Sequence, residues 1–140
     1  MLPLFLVALS TTGIFISLYF LLGESKVAHS SKNKAICESC SEQVLAAVLN
    51  TPYSRSFGVR NYLLGMAFYI MVLASSFFML SRPFLTLLLF ASLASVIFSV
   101  YLAYALIFRI KVFCAMCFTS HIINLMIFLV FLQSWLQAAA

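Results

Sequence analysis

Long apolar runs separated by short polar stretches dominate this chain. Four of them are long enough to cross a membrane as helices, which takes about 20 mostly apolar residues, and they cover 2–22, 59–80, 84–108 and 112–136. The runs are apolar on every side, unlike the alternating strands of membrane β-barrels. The pattern predicts an all-α integral membrane protein, a bundle of four transmembrane helices forming a single domain over residues 1–140.

Composition supports a membrane protein, since 65% of the residues are apolar and only 8% are charged. Soluble domains are about half apolar and a quarter charged. The first run has no basic residues before it and is longer than the apolar part of a signal peptide, so we expect a retained anchor. The net charge of +5 is dispersed along the chain, which argues against a nucleic-acid partner.

One connection, over residues 23–58, is long enough to carry a site, and it holds all three acidic residues and two of the four cysteines. Ser39 followed by Glu42 fits a capping box, which predicts a short amphipathic helix over about 40–49 on the membrane surface. Pro52 marks its end.

The loop cysteines form a Cys-x-x-Cys pair, Cys37 and Cys40. Cys40 is predicted in the first helical turn, where the helix dipole favours a thiolate, whereas Cys37 lies on the approach to the helix. Taken alone, such a pair fits a structural disulfide or half of a zinc site as well as a redox centre.

A second pair opens the fourth run, where Cys114, Cys117, His121 and Asn124 are spaced by three, four and three residues. On a helix they form one stripe, which should face the bundle because polar atoms find no partner among lipid tails. For His121 and Asn124 alone, a packing seam between helices explains the stripe equally well. The serines of the third run are interpreted in the same way as packing, and no chemistry is assigned to Ser92, Ser95 or Ser99.

A Cys-x-x-Cys pair at a helix start is typical of thiol–disulfide exchange. Arg109 and Lys111 lie just before it and would favour a thiolate at Cys114. Because Cys117 lies about one turn into the bilayer, the electron acceptor we expect is a quinone beside it. His121 can donate a hydrogen bond to a quinone carbonyl or handle a proton.

Three segments in this order, "CESC" after the first run, "SRSFGVRNYLLGMAFY" at the second and "CAMCFTSHIIN" at the fourth, resemble the short microbial form of the vitamin K epoxide reductase family over nearly the whole chain. The resemblance implies four helices around a quinone, ubiquinone or menaquinone, with Cys114 and Cys117 as the active pair. It implies Cys37 and Cys40 as the shuttle pair, and a thioredoxin-like partner that supplies electrons. Asn61, at the start of the second run, joins His121 and Asn124 as a candidate for binding the quinone.

Two features depart from the family pattern. The loop cysteines are separated by only two residues, fewer than is usual. His121 stands where the animal enzymes carry a tyrosine, so vitamin K epoxide chemistry is not expected. A fused thioredoxin domain is not seen after the last run, so the partner is expected to be a separate, DsbA-like chain.

Other functions remain open from the sequence. Disulfide-bond formation protein B also uses four helices, two cysteine pairs and a quinone, but its quinone-proximal pair precedes the second span. Four thiolates could instead hold a metal in a membrane metal-binding subunit. A non-catalytic assembly subunit is the third alternative.

The charge distribution and the resemblance disagree about orientation. The basic residues on the side of the thiols are Lys26, Lys32, Lys34, Arg55, Arg60, Arg109 and Lys111, and Arg82 lies opposite. The positive-inside rule would place the thiols in the cytoplasm. The family resemblance instead implies a bacterial or archaeal plasma-membrane protein with thiols facing outward, and an inverted member is the alternative.

Overall fold

The computed structural model describes residues 2–30, 40–56, 58–77 and 81–139. Its helices are α1 (Leu2–Ser30), α2 (Cys40–Leu49), α3 (Asn61–Ser75), α4 (Arg82–Tyr104) and α5 (Ala115–Ala139), with a 3-10 turn at Pro52–Ser54, strands β1 (Arg55–Ser56) and β2 (Val59–Arg60), and a π-helical segment at Ala105–Ile110.

The fold is that of an all-α membrane protein. Three helices are long and apolar enough to span a bilayer, over Leu4–Lys26, Arg82–Ile110 and Ala115–Ala138. The fourth apolar helix, α3, has 15 residues and is shorter than the predicted run at 59–80. Val59 and Arg60 pair with β1 instead of joining the helix, and Ser76 and Phe77 form a turn. Residues 78–80 of the prediction lie outside the described residues.

The first helix extends further than its apolar run. The prediction ended it at residue 22, whereas α1 continues to Ser30, so the connection predicted at 23–58 is shorter. The extension is supported by Glu24, which forms an ion pair with Arg60. The short helix predicted at 40–49 is present with the same bounds as α2, while its proposed cap, Ser39, lies outside the described residues.

The last two apolar runs also differ at their ends. Helix α4 begins at Arg82, two residues before the prediction, with a proline in its first turn, and it passes directly into the π-helical segment. Lys111 then adopts a left-handed conformation (φ 56°), which ends that segment. As a result α5 begins at Ala115, three residues later than the predicted 112.

The helices pack as two pairs, α1 with α3 and α4 with α5, and α1 also contacts α5. Helix α2 packs on α1 and on the π-helical segment, with Leu45 and Leu49 buried. Gly23 of α1 lies directly beneath Leu45, where a larger residue would meet its side chain. Because the π-helical segment leads directly to Cys114, α2 and the start of α5 lie at the same end of the bundle.

Candidate active site

Cys114 and Cys117 form a disulfide at the start of α5, with their Cα atoms 5.3 Å apart. The Phe118 amide donates to the Cys114 carbonyl at 3.1 Å, which begins the first turn around the pair. Both cysteines are buried. The pair is therefore held by the end of a helix and shielded within the bundle.

Cys117 forms part of the wall of a cavity of about 410 Å³. Residues from α1, α3, α4, α5 and the segment 48–54 line it. Three of the four residues of the stripe predicted on the fourth run line this wall, Cys117, His121 and Asn124, whereas Cys114 precedes α5 and is not among the lining residues. Asn61, from the start of α3, lines it as well, so the three candidate quinone-binding residues share one cavity with Cys117.

Two polar side chains of the cavity have a buried atom without a hydrogen-bond partner in the described residues. The Asn61 amide nitrogen donates to the Tyr53 carbonyl at 2.7 Å, while its Oδ1 is buried and unpaired. Nδ1 of His121 is also buried and unpaired, and the His121 ring packs edge-on against Phe118. An unpaired buried polar atom is costly, which makes these two atoms the natural positions for a ligand to satisfy.

Asn124 differs from both because its side-chain amide is paired at each end. Tyr69 of α3 donates its hydroxyl proton to Asn124 Oδ1 at 2.8 Å, and Asn124 Nδ2 donates to Ser99 Oγ of α4 at 2.8 Å. Tyr69 and Ser99 are buried, and both line the cavity. The sequence pattern around Ser99 predicted only helix packing, and no pattern singled out Tyr69.

A sequence model of the vitamin K epoxide reductase family matches residues 4–132. Vitamin K epoxide reductase complex subunit 1 of Mus musculus is 30% identical over 139 residues, which cover 90% of this chain and 86% of the mouse protein. The protein of the same name from Rattus norvegicus is 30% identical over 130 residues, covering 84% of this chain and 80% of the rat protein. The chain belongs to the vitamin K epoxide reductase family. It is thus an integral membrane oxidoreductase, as the resemblance implied.

In this family member, a polar cluster that sequence reasoning missed lies at the rim of the cavity. Arg60 forms an ion pair with Glu24 and donates to the Leu49 carbonyl at 2.8 Å, and Tyr62 donates its hydroxyl proton to Glu24. The cluster joins α1, the last residue of α2 and the start of α3. Its partners are far apart in sequence, so the only available signal was a lone acidic residue just after an apolar run.

The structure describes only some of the other residues that were predicted to take part in the redox reaction. Cys37 lies outside the described residues, and of Cys40 the structure describes only the backbone, as the first residue of α2. Arg109 is exposed in the π-helical segment, and Lys111 is exposed just after it. Within the described part of the chain, no group of three or more His, Cys, Asp or Glu side chains is arranged to hold a metal.

Proposed function

We propose that this protein is a quinone-dependent thiol–disulfide oxidoreductase that generates disulfides in a thioredoxin-like partner. Electrons pass from the partner to Cys37 and Cys40, then to Cys114 and Cys117, and finally to a quinone in the cavity. The observation that carries the proposal is the position of Cys117 in the wall of a cavity that also contains the unpaired Asn61 and His121 atoms. A disulfide beside an apolar pocket with convergent polar groups is suited to a lipid-soluble redox ligand.

The cavity residues fit a quinone head group, a ring with two carbonyl acceptors. A volume of about 410 Å³ lies within the range of small-molecule pockets. His121 can present an N–H donor from the same helical face as Cys117. Asn61 keeps one amide proton beyond the one given to Tyr53, and its free Oδ1 can accept from the hydroxyl of a reduced ring.

Asn124 completes the proposed quinone-binding set in a different way. Its amide is occupied at both ends by Tyr69 and Ser99, so we assign it to shaping the cavity rather than to a direct hydrogen bond with the ligand.

In the proposed sequence, one partner thiolate attacks the Cys37–Cys40 disulfide, and a second partner thiol resolves the mixed disulfide, so the partner leaves with a disulfide and the loop pair is reduced. Cys40 then attacks Cys114, breaking the Cys114–Cys117 bond and releasing Cys117 as a thiolate. Cys37 resolves the mixed disulfide, so two electrons now reside on Cys114 and Cys117. A bound quinone supplies the oxidant, taking two electrons and two protons as the Cys114–Cys117 disulfide forms again. Each protein step is ordinary thiol–disulfide exchange.

Packing of α2 supports transfer between the two pairs. The π-helical segment that leads to Cys114 contacts α2, whose first residue is Cys40. We propose that α3 is the second of four spans. We also propose that the thiol end faces the outside of a bacterial or archaeal plasma membrane, where an oxidising compartment preserves disulfides.

Trapping tests the order of transfer. In a Cys117→Ala variant the Cys114 thiolate can attack the Cys37–Cys40 disulfide at Cys40 and release Cys37 as a thiolate, so a Cys40–Cys114 mixed disulfide, or a species linked to the partner, should accumulate on a non-reducing gel. Cys37→Ala in the same background leaves Cys40 and Cys114 as two thiols with no disulfide to exchange with, so the Cys40–Cys114 species should form there only after a thiol oxidant such as diamide is added. Adding Cys40→Ala to Cys117→Ala should remove it. Free thiols alone in the Cys117→Ala variant would contradict the proposed order.

Turnover tests the overall reaction. Purified protein is mixed with a reduced thioredoxin-like protein and a benzoquinone or naphthoquinone. The quinone absorbance should fall, and one partner disulfide should form for each quinone reduced. Protein with all four cysteines intact that leaves both reagents unchanged would contradict the proposed function.

A further inference from the structure

Three side chains from three helices meet on the wall of the cavity that lies one to two helical turns below the disulfide. The Tyr69 hydroxyl of α3 bonds to Asn124 of α5, which bonds in turn to Ser99 of α4, with both distances 2.8 Å. The same hydroxyl lies 3.4 Å from the Ser120 carbonyl, one turn before Asn124 on α5. The proposed catalytic mechanism does not use Tyr69 or Ser99.

Tyr69 is itself held in place by α1. A Cβ atom added to Gly13 would lie 2.6 Å from the Tyr69 ring, so the ring rests directly on the glycine backbone. Only 2% of Tyr69 is exposed, which leaves its hydroxyl little freedom to move. The phenol therefore links α1 to α5, and the link includes a hydrogen bond as well as packing.

The position on α5 at which these hydrogen bonds are made determines which way the cysteine-bearing side of that helix faces. Asn124 follows His121 by three residues and Cys117 by seven, so the three lie on one side of the helix. Fixing the amide of Asn124 from both sides, by Tyr69 and by Ser99, fixes the rotation of α5 about its axis. A rotated α5 would turn His121 and Cys117 away from the cavity together.

We propose that Tyr69 and Ser99 are positioning residues that act through Asn124 to aim His121 and Cys117 at the quinone. The proposal rests on the proposed function, because it assigns a role in quinone binding to side chains that the redox steps do not use. It predicts that loss of either hydroxyl weakens quinone binding without affecting exchange with the partner protein.

Matched hydroxyl deletions test the proposal. Tyr69→Phe keeps the ring on Gly13 and removes only the donor, and Tyr104→Phe makes the same change at an exposed ring on α4. Ser99→Ala removes the acceptor, and Ser92→Ala is its control, a buried α4 serine that bonds to its own helix at the Leu89 carbonyl. The dissociation constant of a short-chain benzoquinone is measured by thermal-shift titration, beside KM for the quinone and kcat at saturating quinone.

We expect Tyr69→Phe and Ser99→Ala each to raise the dissociation constant and KM about three- to fifteenfold, the range of interhelical hydrogen bonds in membranes. We expect kcat of these two variants to remain at the wild-type value. In both controls the dissociation constant, KM and kcat should all remain at wild-type values. The double variant Tyr69→Phe/Ser99→Ala should show less than the product of the two single effects, because both act through Asn124.

Several outcomes would overturn the proposal. A merely structural role would be shown by unchanged quinone affinity in both Tyr69→Phe and Ser99→Ala, or by a lower amount of folded protein with KM unaltered. Multiplicative effects in the double variant would show that the two hydroxyls act independently and not through Asn124. If Tyr69→Phe does not fold, Ser99→Ala decides alone. Failure of the wild-type protein to reduce quinone would contradict the proposed function itself, whereas wild-type turnover with insensitive variants contradicts only this inference.

Discussion

Asn61 and Asn124 line the same cavity from different helix pairs. Both carry a side-chain amide, but the two amides are hydrogen-bonded differently. The Asn124 amide is satisfied at both ends by Tyr69 and Ser99, whereas Asn61 leaves Oδ1 buried and unpaired. His121, one turn from Asn124 on the same helix, resembles Asn61 in leaving Nδ1 unpaired. In a membrane protein, satisfied amides stabilise helix contacts, while unsatisfied ones are costly unless a ligand completes them.

This difference separates two kinds of cavity residue that a list of lining side chains would merge. Paired groups should matter for the stability of the empty protein and, through the orientation of α5, also for quinone affinity. Unpaired groups should matter for ligand affinity and little for stability.

The largest effect is expected at the disulfide. The contrast between paired and unpaired cavity residues bears on function only if electrons leave the protein at the disulfide beside them. Cys117→Ser removes the thiol in the cavity wall and cannot re-form the disulfide with Cys114. Quinone reduction should fall to the uncatalysed rate in the absorbance assay. The neighbouring Ser120→Ala, a change on the same face of α5, should retain turnover. Residual catalysis by Cys117→Ser would place the electron exit elsewhere.

Removing the paired amide should have the next largest effect, and on stability. Asn124→Leu leaves the Tyr69 and Ser99 hydroxyls buried without their partner, which should cost about 1–3 kcal/mol. A lower thermal midpoint of the protein in detergent, measured without quinone, is the expected result. A midpoint equal to that of the wild type would mean that the bridge between α3, α5 and α4 contributes nothing.

Removing an unpaired group should have the opposite signature. His121→Phe deletes the buried Nδ1 while keeping a ring against Phe118, so the thermal midpoint should stay the same or rise. The quinone dissociation constant should increase about three- to tenfold through the lost hydrogen bond. If His121→Phe instead lowers the midpoint as much as Asn124→Leu, the distinction between paired and unpaired cavity groups is wrong.

The smallest effect is expected at the rim, where the ion pair is partly open to solvent. The side chains of Arg60 and Glu24 are 20% and 27% exposed, and such pairs contribute little, about 1 kcal/mol or less. Glu24→Gln should lower the thermal midpoint slightly at low salt, and the difference from wild type should shrink at high salt. A loss comparable to that of Asn124→Leu, or one independent of salt, would show that the rim cluster anchors α2 more strongly than its exposure indicates.

Hydrophobic length and cysteine spacing predicted the parts of the fold that depend on local sequence. The apolar runs predicted three helices that are long enough to span a membrane and the shorter α3, and the Ser39/Glu42 pattern predicted a helix with the bounds of α2. The three-four-three spacing on the fourth run anticipated that Cys117, His121 and Asn124 would share one wall of a cavity. These features follow from helical periodicity alone, which is why they were available from the sequence.

The features that were missed depend on contacts between distant segments. Helix α1 continues past its apolar run to Ser30, and Glu24 in this extension meets Arg60. The Asn124 amide is paired because Tyr69 and Ser99 reach it from other helices. Periodicity places Ser99 on a small-residue face but cannot indicate which amide will reach it. The late start of α5 depends on the left-handed Lys111, a backbone conformation that a lysine rarely adopts.

The most direct test of the central claim is a single turnover with the loop pair removed. A Cys37→Ser/Cys40→Ser variant retains two of the four cysteines, Cys114 and Cys117, and can be reduced with a phosphine, desalted and mixed with quinone. We expect one equivalent of quinol per chain, formed as both free thiols disappear. Quinone that stays oxidised, while thiol titration shows Cys114 and Cys117 still reduced, would contradict it.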